Sequence, residues 1–272
     1  MVSDYTQIRY WIDDLPKRGI TTFSLNEAEN QFIKKPVASV RRALARLSSA
    51  GKIQSVWRGF YAISLPEYGL EGVAPPIDYI DQLMRHLGCG YYVALLTAAS
   101  YRGATHNAPQ VFQVICDSIL HEKRKNGVRI EPAYKKKIPV DYVSVINSRT
   151  ASVQISTPEL TAIDLMLYTK RAGGINHVAT VLGELAESID FTRVNPDFFD
   201  GTPVAAIQRL GYLLDETLGE TVLANSLFEI VNRAGIKFNP TLLMQKNDFN
   251  TPIADKNTKW GIMVNYEVES DL

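Results

Sequence analysis

The chain has 272 residues, 46% of them hydrophobic, with 29 Lys/Arg set against 29 Asp/Glu. That is apolar material for about two ordinary globular domains, and no run approaches the ~18 apolar residues of a membrane-crossing helix. A net charge of zero argues against bulk coating of nucleic acid. Cys89 and Cys116 make neither a disulfide framework nor a metal-ligand spacing, and the start MVSDYTQIRYW lacks the charged-then-apolar pattern of a secretory leader, so a cytoplasmic protein with reduced thiols is expected.

Taken in chain order, Gln7 to Leu15 and Leu25 to Ile33 read as two helices. The stretch PVASVRRALARLSSAGKIQSVWRGFYAI follows, from Pro36 to Ile63. Val37, Val40, Leu44 and Leu47 recur at three- and four-residue steps and form one apolar stripe. Ser39, Arg42 and Arg46 share the opposite face, flanked by Arg41 and Ala45. Pro36 suits the helix start, where its missing N–H would be unpaired in any case, and Gly51 suits the stop. Ile53 to Val56 and Phe60 to Ile63 read as strands joined through Trp57, Arg58 and Gly59. Three helices followed by a two-stranded wing is the winged helix-turn-helix plan.

Arginine neutralises phosphates and also donates two hydrogen bonds to a guanine edge in the major groove, while a small residue such as Ser39 permits close approach. Candidate DNA-binding residues are therefore Lys35, Ser39, Arg41, Arg42 and Arg46, with Arg58 at the wing tip. The competing reading is a solvated helix face in a module used for protein contact. Charge favours the first reading. Residues 1–70 hold ten Lys/Arg and six Asp/Glu, a net of +4, and the remainder carries −4.

The Pro- and Gly-rich stretch LPEYGLEGVAPPI separates this module from the rest. The expected organisation is a winged-helix domain over residues 1–68, a linker at 69–76, and an α+β domain at 77–272 in which a mixed sheet packs with a helical bundle. Within that second domain, Ile77 to Leu87 and Tyr92 to Tyr101 read as helices and Val111 to Cys116 as a buried strand. Asn107-Ala-Pro109 breaks the pattern, and Asn126-Gly127 is a turn signal between short strands. Val140 to Ile146 and Ala151 to Ile155 continue the β region. Ser156-Thr157-Pro158-Glu159 is a helix start, with one of the two hydroxyls as cap, opening the run LTAIDLMLYTKRAG. Helices at Ile175 to Ile189, Pro203 to Leu218 and Thr221 to Ala234 complete the bundle, and the tail from Phe238 returns to irregular and β structure.

Four ordered motifs here carry a family likeness: VQISTPELTAIDLMLY, GGINHVATVLGELAE, QRLGYLLDE and the ending TKWGIMVNYEVESDL. Together with the N-terminal KPVASVRRALARLSSAGKIQSVWRGFYAI, the chain resembles the AbiE-type abortive-infection antitoxins of bacterial type IV toxin–antitoxin operons. The resemblance implies an autorepressor that binds inverted repeats upstream of its own operon. It also implies a nucleotidyltransferase-like toxin whose effect is opposed without need of a stable complex. No cofactor is expected. By position, the resemblance assigns DNA reading to Ser39, Arg41, Arg42, Arg46 and Arg58, and antitoxic activity together with part of repression to the C-terminal domain. In solution a monomer or weak dimer is expected, paired on DNA.

Other features compete for a role. Lys123, Arg124, Lys125, Lys135, Lys136 and Lys137 form a second basic cluster around the Asn126-Gly127 turn, either a backbone-binding patch or solvated loops. QRLGYLLDE reads as a core helix with a buried tyrosine, although Arg209 suits a fixed carboxylate or phosphate contact. Catalysis looks poor. His86, His106, His121 and His177 lack ligand spacing, and Glu159 and Asp164 lie five apart on one helix. Glu159 is better explained as an acid stabilised by the helix dipole. A nuclease-like set of Glu131, Asp141 and Lys135 or Lys137 is the enzymatic alternative, and a ligand-sensing transcription factor is the other. No catalytic residue and no metal ligand is assigned.

Overall fold

The structure is a computed structural model that describes residues 3–69, 72–105, 109–125, 127–244 and 255–270. His106, Asn107 and the Asn126 of the expected turn lie outside the described residues. The fold is mixed α and β, and it divides into two compact units. Unit one comprises Met1–Tyr92, Gln110–Ile138 and Val145–Gln154. Unit two comprises Val93–Pro109, Pro139–Ser144 and Ile155–Leu272.

Unit one opens with helix α1 (Asp4–Asp14), strand β1 (Thr22–Ser24), helix α2 (Leu25–Gln31) and helix α3 (Val37–Ser49). Ser3 caps α1 by accepting from the Thr6 N–H. Ser24 and Glu27 make a full capping box on α2, which satisfies two donors that the helix itself cannot pair. The inner stripe of α3 is Val40, Ala43, Leu44 and Leu47, each at most 4% exposed. They meet Ile8, Ile12, Phe23 and Ile53 in one core, and each large aliphatic so buried contributes about 1.5–3 kcal/mol. Val37 was expected in that stripe but is 49% exposed. It is the first residue of the helix, and side chains lean toward the N-terminus, so it overhangs the end of the core.

Strands β2 (Ile53–Trp57) and β3 (Phe60–Ile63) follow, and the small sheet has the order β1-β3-β2, antiparallel throughout. Trp57 pairs with Phe60, so the turn is only Arg58-Gly59. Gly59 sits at φ +72, the left-handed region that a two-residue hairpin turn demands. Its carbonyl accepts from the Leu25 N–H at 2.7 Å, which ties the turn to the start of α2. The Pro/Gly stretch after β3 is held against the same sheet. The Gln54 amide donates to the Gly72 carbonyl and accepts from the Ala74 N–H, and Ala74 is buried.

Next come helix α4 (Ile80–Leu87), strand β4 (Tyr91–Val93) and helix α5 (Leu95–Tyr101). The sequence reads 92–101 as helix throughout, whereas Tyr91–Val93 is strand. The chain turns between the two at Leu95, at φ +54 and almost fully buried. That conformation costs roughly 1–2 kcal/mol for a residue with a Cβ, and burial of the side chain opposes the cost. Strands β5 (Phe112–Cys116), β6 (Lys123–Lys125), β7 (Val128–Tyr134), β8 (Val143–Asn147) and β9 (Ser152–Ser156) follow. Val140–Tyr142, expected as strand, is a single 3-10 turn after Pro139. The strand order is β6-β7-β5-β4-β9-β8. In unit one β5 runs parallel to β7, and β6 is antiparallel to β7.

Unit two is mostly helical: α6 (Pro158–Leu167), α7 (Ile175–Leu185), α8 (Val204–Tyr212) and α9 (Thr221–Arg233). Thr157 is the cap of α6 and Pro158 its first residue. Residues 159–166 are buried on every side. The helix stops earlier than the apolar run suggests, because the Thr169 hydroxyl takes the Leu165 and Met166 carbonyls. Glu159 is itself buried, and its carboxylate accepts from the Asp190 N–H at 2.8 Å. It therefore ties two segments together as well as sitting in the first turn. A π-helical turn at Leu213–Thr217 extends α8. The tail forms a small sheet of β10 (Thr241–Leu242), β11 (Asp255–Asn257) and β12 (Ile262–Val264) in the order β10-β12-β11.

Candidate nucleic-acid interface

The exposed side of α3 sorts the sequence-assigned residues into two groups. Lys35, Ser39 and Arg41 have protein partners. Asp4, at the start of α1, accepts from the Lys35 ammonium and from the Ser39 hydroxyl, both at 2.6 Å. The Lys35 contact, then the Ser39 contact, hold the Asp4 carboxyl below its ordinary range. Arg41 donates to Glu29 of α2 at 2.9 Å. These partners stand 31, 35 and 12 residues away in sequence, so no local pattern could have found them. Arg42, Arg46 and Arg58 are exposed and have no carboxylate partner among the described residues. Arg42 bonds only to the Ala38 carbonyl of its own helix, at 3.2 Å, and Arg58 occupies the hairpin turn.

The second basic cluster does not gather at one place. Lys123 to Lys125 lie on β6, opposite Ile130, Arg129 and Val128. Lys135 to Lys137 follow the far end of β7, on the order of 15–20 Å along the strand at ~3.3 Å per residue. Lys135 donates to the Tyr92 hydroxyl at 3.3 Å, while Lys136 and Lys137 are exposed. The β6 end lies beside the β2–β3 turn. The Lys123 ammonium stands 5.9 Å from the centre of the Trp57 ring, one residue before Arg58. Arg129 is neutralised by Glu122 through two hydrogen bonds, at 2.6 and 2.9 Å.

Charge follows the compact units more sharply than it follows chain position. Unit one carries 19 Lys/Arg and 12 Asp/Glu, a net of +7, and unit two carries 10 and 17, a net of −7.

In unit two the motifs QRLGYLLDE and TKWGIMVNY prove to be one packing arrangement. Trp260 is fully buried. A Cβ on Gly211 would stand 2.1 Å from its ring, so only glycine allows α8 and the tail to meet. The Gln208 amide donates to the Asn239 and Trp260 carbonyls at 2.7 and 2.8 Å. Asp215 accepts from the Trp260 indole N–H and the Lys259 ammonium. Burial pushes its carboxyl up, but those two donors outweigh it and leave it lowered. Arg209 donates through two nitrogens to the Leu242 carbonyl, and burial lowers its affinity for its proton. Tyr212, expected in the core, is only partly buried. Arg171 and Arg209 line a cavity of about 620 Å³ with Met166, Ile175 and Met244.

Of the nuclease-like set, Glu131 accepts from Gln113 within unit one, and Asp141 lies exposed on the 3-10 turn in unit two. Among the described residues no group of three or more His, Cys, Asp or Glu is placed to hold a metal, and no helix is long and apolar enough to cross a membrane.

The family model of the AbiEi antitoxin C-terminal domain matches residues 92–216. Over those residues, a little under half of its length, the chain is similar to the AbiE-type antitoxins. Three of the four C-terminal motifs lie inside the match, and TKWGIMVNYEVESDL and the N-terminal stretch lie outside it. The fold is similar to that of the RV2827C protein from Mycobacterium tuberculosis, with a TM-score of 0.66 at 12% identity over 97% of this chain and 92% of that one. At that identity the likeness concerns fold alone. No curated protein matches the chain. The AbiE-type domain supports an antitoxin of a type IV toxin–antitoxin system and a regulator as its class.

Proposed function

We propose that this AbiE-type antitoxin represses its own operon by binding inverted repeats upstream of it, and counters a nucleotidyltransferase-like toxin encoded beside it. The observation that carries the reading is α3 with its exposed Arg42 and Arg46, next to a two-residue turn bearing Arg58, in a unit of net charge +7. Three helices with a β1-β3-β2 sheet are the parts of a winged helix-turn-helix module. In that role α3 lies in the major groove, Arg42 and Arg46 meet base edges or phosphates, and Arg58 meets the flanking backbone. Lys35, Ser39 and Arg41 hold α3 to α1 and α2, and would join the interface by exchanging Asp4 or Glu29 for a phosphate. Two molecules on an inverted repeat place their α3 helices about 34 Å apart, one turn of DNA. The module corresponds to residues 1–68, and the antitoxic activity belongs to the remainder of a cytoplasmic protein that needs no cofactor and no stable toxin complex.

The test is a titration of the full chain with duplex DNA from upstream of its own coding sequence, beside rescue of cells expressing the adjacent toxin gene. Arg42→Ala weakens operator binding by about 1–3 kcal/mol and leaves rescue intact. Unchanged affinity removes α3 from the interface.

A ligand-sensing role is the second reading, favoured by the 620 Å³ cavity of unit two, which pairs cationic and apolar walls. A thermal shift with a specific metabolite, accompanied by release from DNA, selects it over constitutive repression.

A further inference from the structure

The DNA reading rests on residues 1–68, yet the same compact unit contains a second hairpin, β6–β7, contributed from residues beyond 110. Its position is set by contacts with the wing. Gln54 and Val56 of β2 form one crevice with Lys123, Lys125, Val128 and Ile130 of the hairpin. Lys123 reaches the Trp57 ring, at the residue preceding the Arg58 turn. Val128 and Ile130 are partly or wholly buried, while Arg124 and Lys125 are exposed. Lys123 and Lys125 share the face of Ile130 and Val128 that borders β2, and Arg124 lies on the opposite face beside Arg129.

The charges on this strand are unbalanced. Lys123, Arg124 and Lys125 are consecutive, and no ion pair is made by any of them among the described residues. The nearby Glu122 is engaged by Arg129 across the hairpin. Three adjacent cations repel one another, and beyond the Lys123–Trp57 contact none has a carboxylate partner among the described residues, so a polyanion outside the fold is their favourable partner. The row begins within reach of the wing, whose own tip is a cation. We infer that β6 is a second backbone-contact element of the DNA interface, extending the footprint past the wing onto flanking phosphates. This inference rests on the operator-binding reading above and enlarges it. The hairpin supplies affinity without sequence preference, whereas α3 supplies the reading of bases. It also supplies a reason why the wing can be as short as two residues.

The experiment is a salt titration of operator binding by the full chain, read by fluorescence anisotropy, with the duplex from upstream of its own coding sequence. Three proteins are compared: wild type, the triple variant Lys123→Gln/Arg124→Gln/Lys125→Gln, and the triple variant Lys135→Gln/Lys136→Gln/Lys137→Gln. Each phosphate contact adds about 0.9 to the slope of log affinity against log salt. The β6 variant is expected to lose about two to three from that slope and at least tenfold in affinity near 0.15 M salt. The Lys135–137 variant is expected to keep both within error. The double variant Arg124→Gln/Lys125→Gln, which spares the Lys123–Trp57 contact, separates lost phosphate contacts from a disturbed wing and should still lose about one to two. Slopes equal to wild type in both β6 variants, with Arg42→Ala still defective, overturn the hairpin's role and leave the α3 reading standing. Failure of wild type to bind this DNA at all overturns both.

Discussion

Arg42 of unit one and Arg209 of unit two both sit on amphipathic helices, and the sequence offers each as an anion-binding residue. The structure gives them opposite fates. Arg42 points into solvent with only its own helix to bond to, in a unit of net +7. Arg209 is half-buried, and two of its nitrogens close the chain against the Leu242 carbonyl, in a unit of net −7. An arginine that satisfies a buried carbonyl is a structural clamp; one with idle donors on a cationic surface is available to a partner. The difference teaches that the partner-facing residues are found by asking which cations the fold has left unused.

That contrast can be broken most forcefully through the cores. Leu44→Ala empties the centre of unit one and should cost about 2–5 kcal/mol, read as a fall in denaturant midpoint. Gly211→Ala forces a methyl into the Trp260 ring and should cost roughly 1–3 kcal/mol or more, with quenched or shifted tryptophan fluorescence and loss of toxin rescue. A Gly211→Ala protein of unchanged stability contradicts the packing described for α8 and the tail. Next in size, Arg46→Ala should weaken operator binding by about 1–3 kcal/mol, while Arg209→Ala should change melting behaviour and leave the salt slope of DNA binding alone. Equal effects of the two on DNA affinity erase the distinction between them.

The smallest effects concern Asp4. Its Asp4→Ala variant releases the Lys35 ammonium and Ser39 hydroxyl beside α3, and should raise the salt slope of DNA binding by about one. Because its carboxyl is held below the ordinary range, the tie between α1 and α3 is present above the unfolded value of ~3.9 and is lost as pH falls through the lower folded value. Chemical shifts of Ser39 followed down through pH 4 should report that release, and a flat titration counts against the Asp4 contact.

Much of the fold was legible in sequence because its signals are local. Period-3.6 stripes set α1, α3, α4 and α9, and the capping residues before α6 and the Gly59 turn were read from residue type alone. The misreadings share a cause. Val37 fits the stripe of α3 but lies beyond the core's edge, and Tyr91–Val93 carries helix-compatible residues that strand pairing claims instead. In both, position within the packed whole overrode local preference. The basic cluster shows the same limit. Six cations close in sequence became two groups, because β7 runs between them as an extended strand.

By itself the sequence determined most of the helices, their apolar faces, the arginine-bearing helix with its adjacent turn, and the motifs resembling an antitoxin family. Those depend on residue type at short spacing. Tertiary structure alone decided that Asp4 and Glu29 occupy Lys35, Ser39 and Arg41, and that Arg209 serves a carbonyl. It also set the strand at Lys123 to Lys125 beside the β2–β3 turn and sharpened the charge division from ±4 to ±7. Those depend on which distant segments meet, and a one-dimensional pattern carries no record of the partner that neutralises a charge.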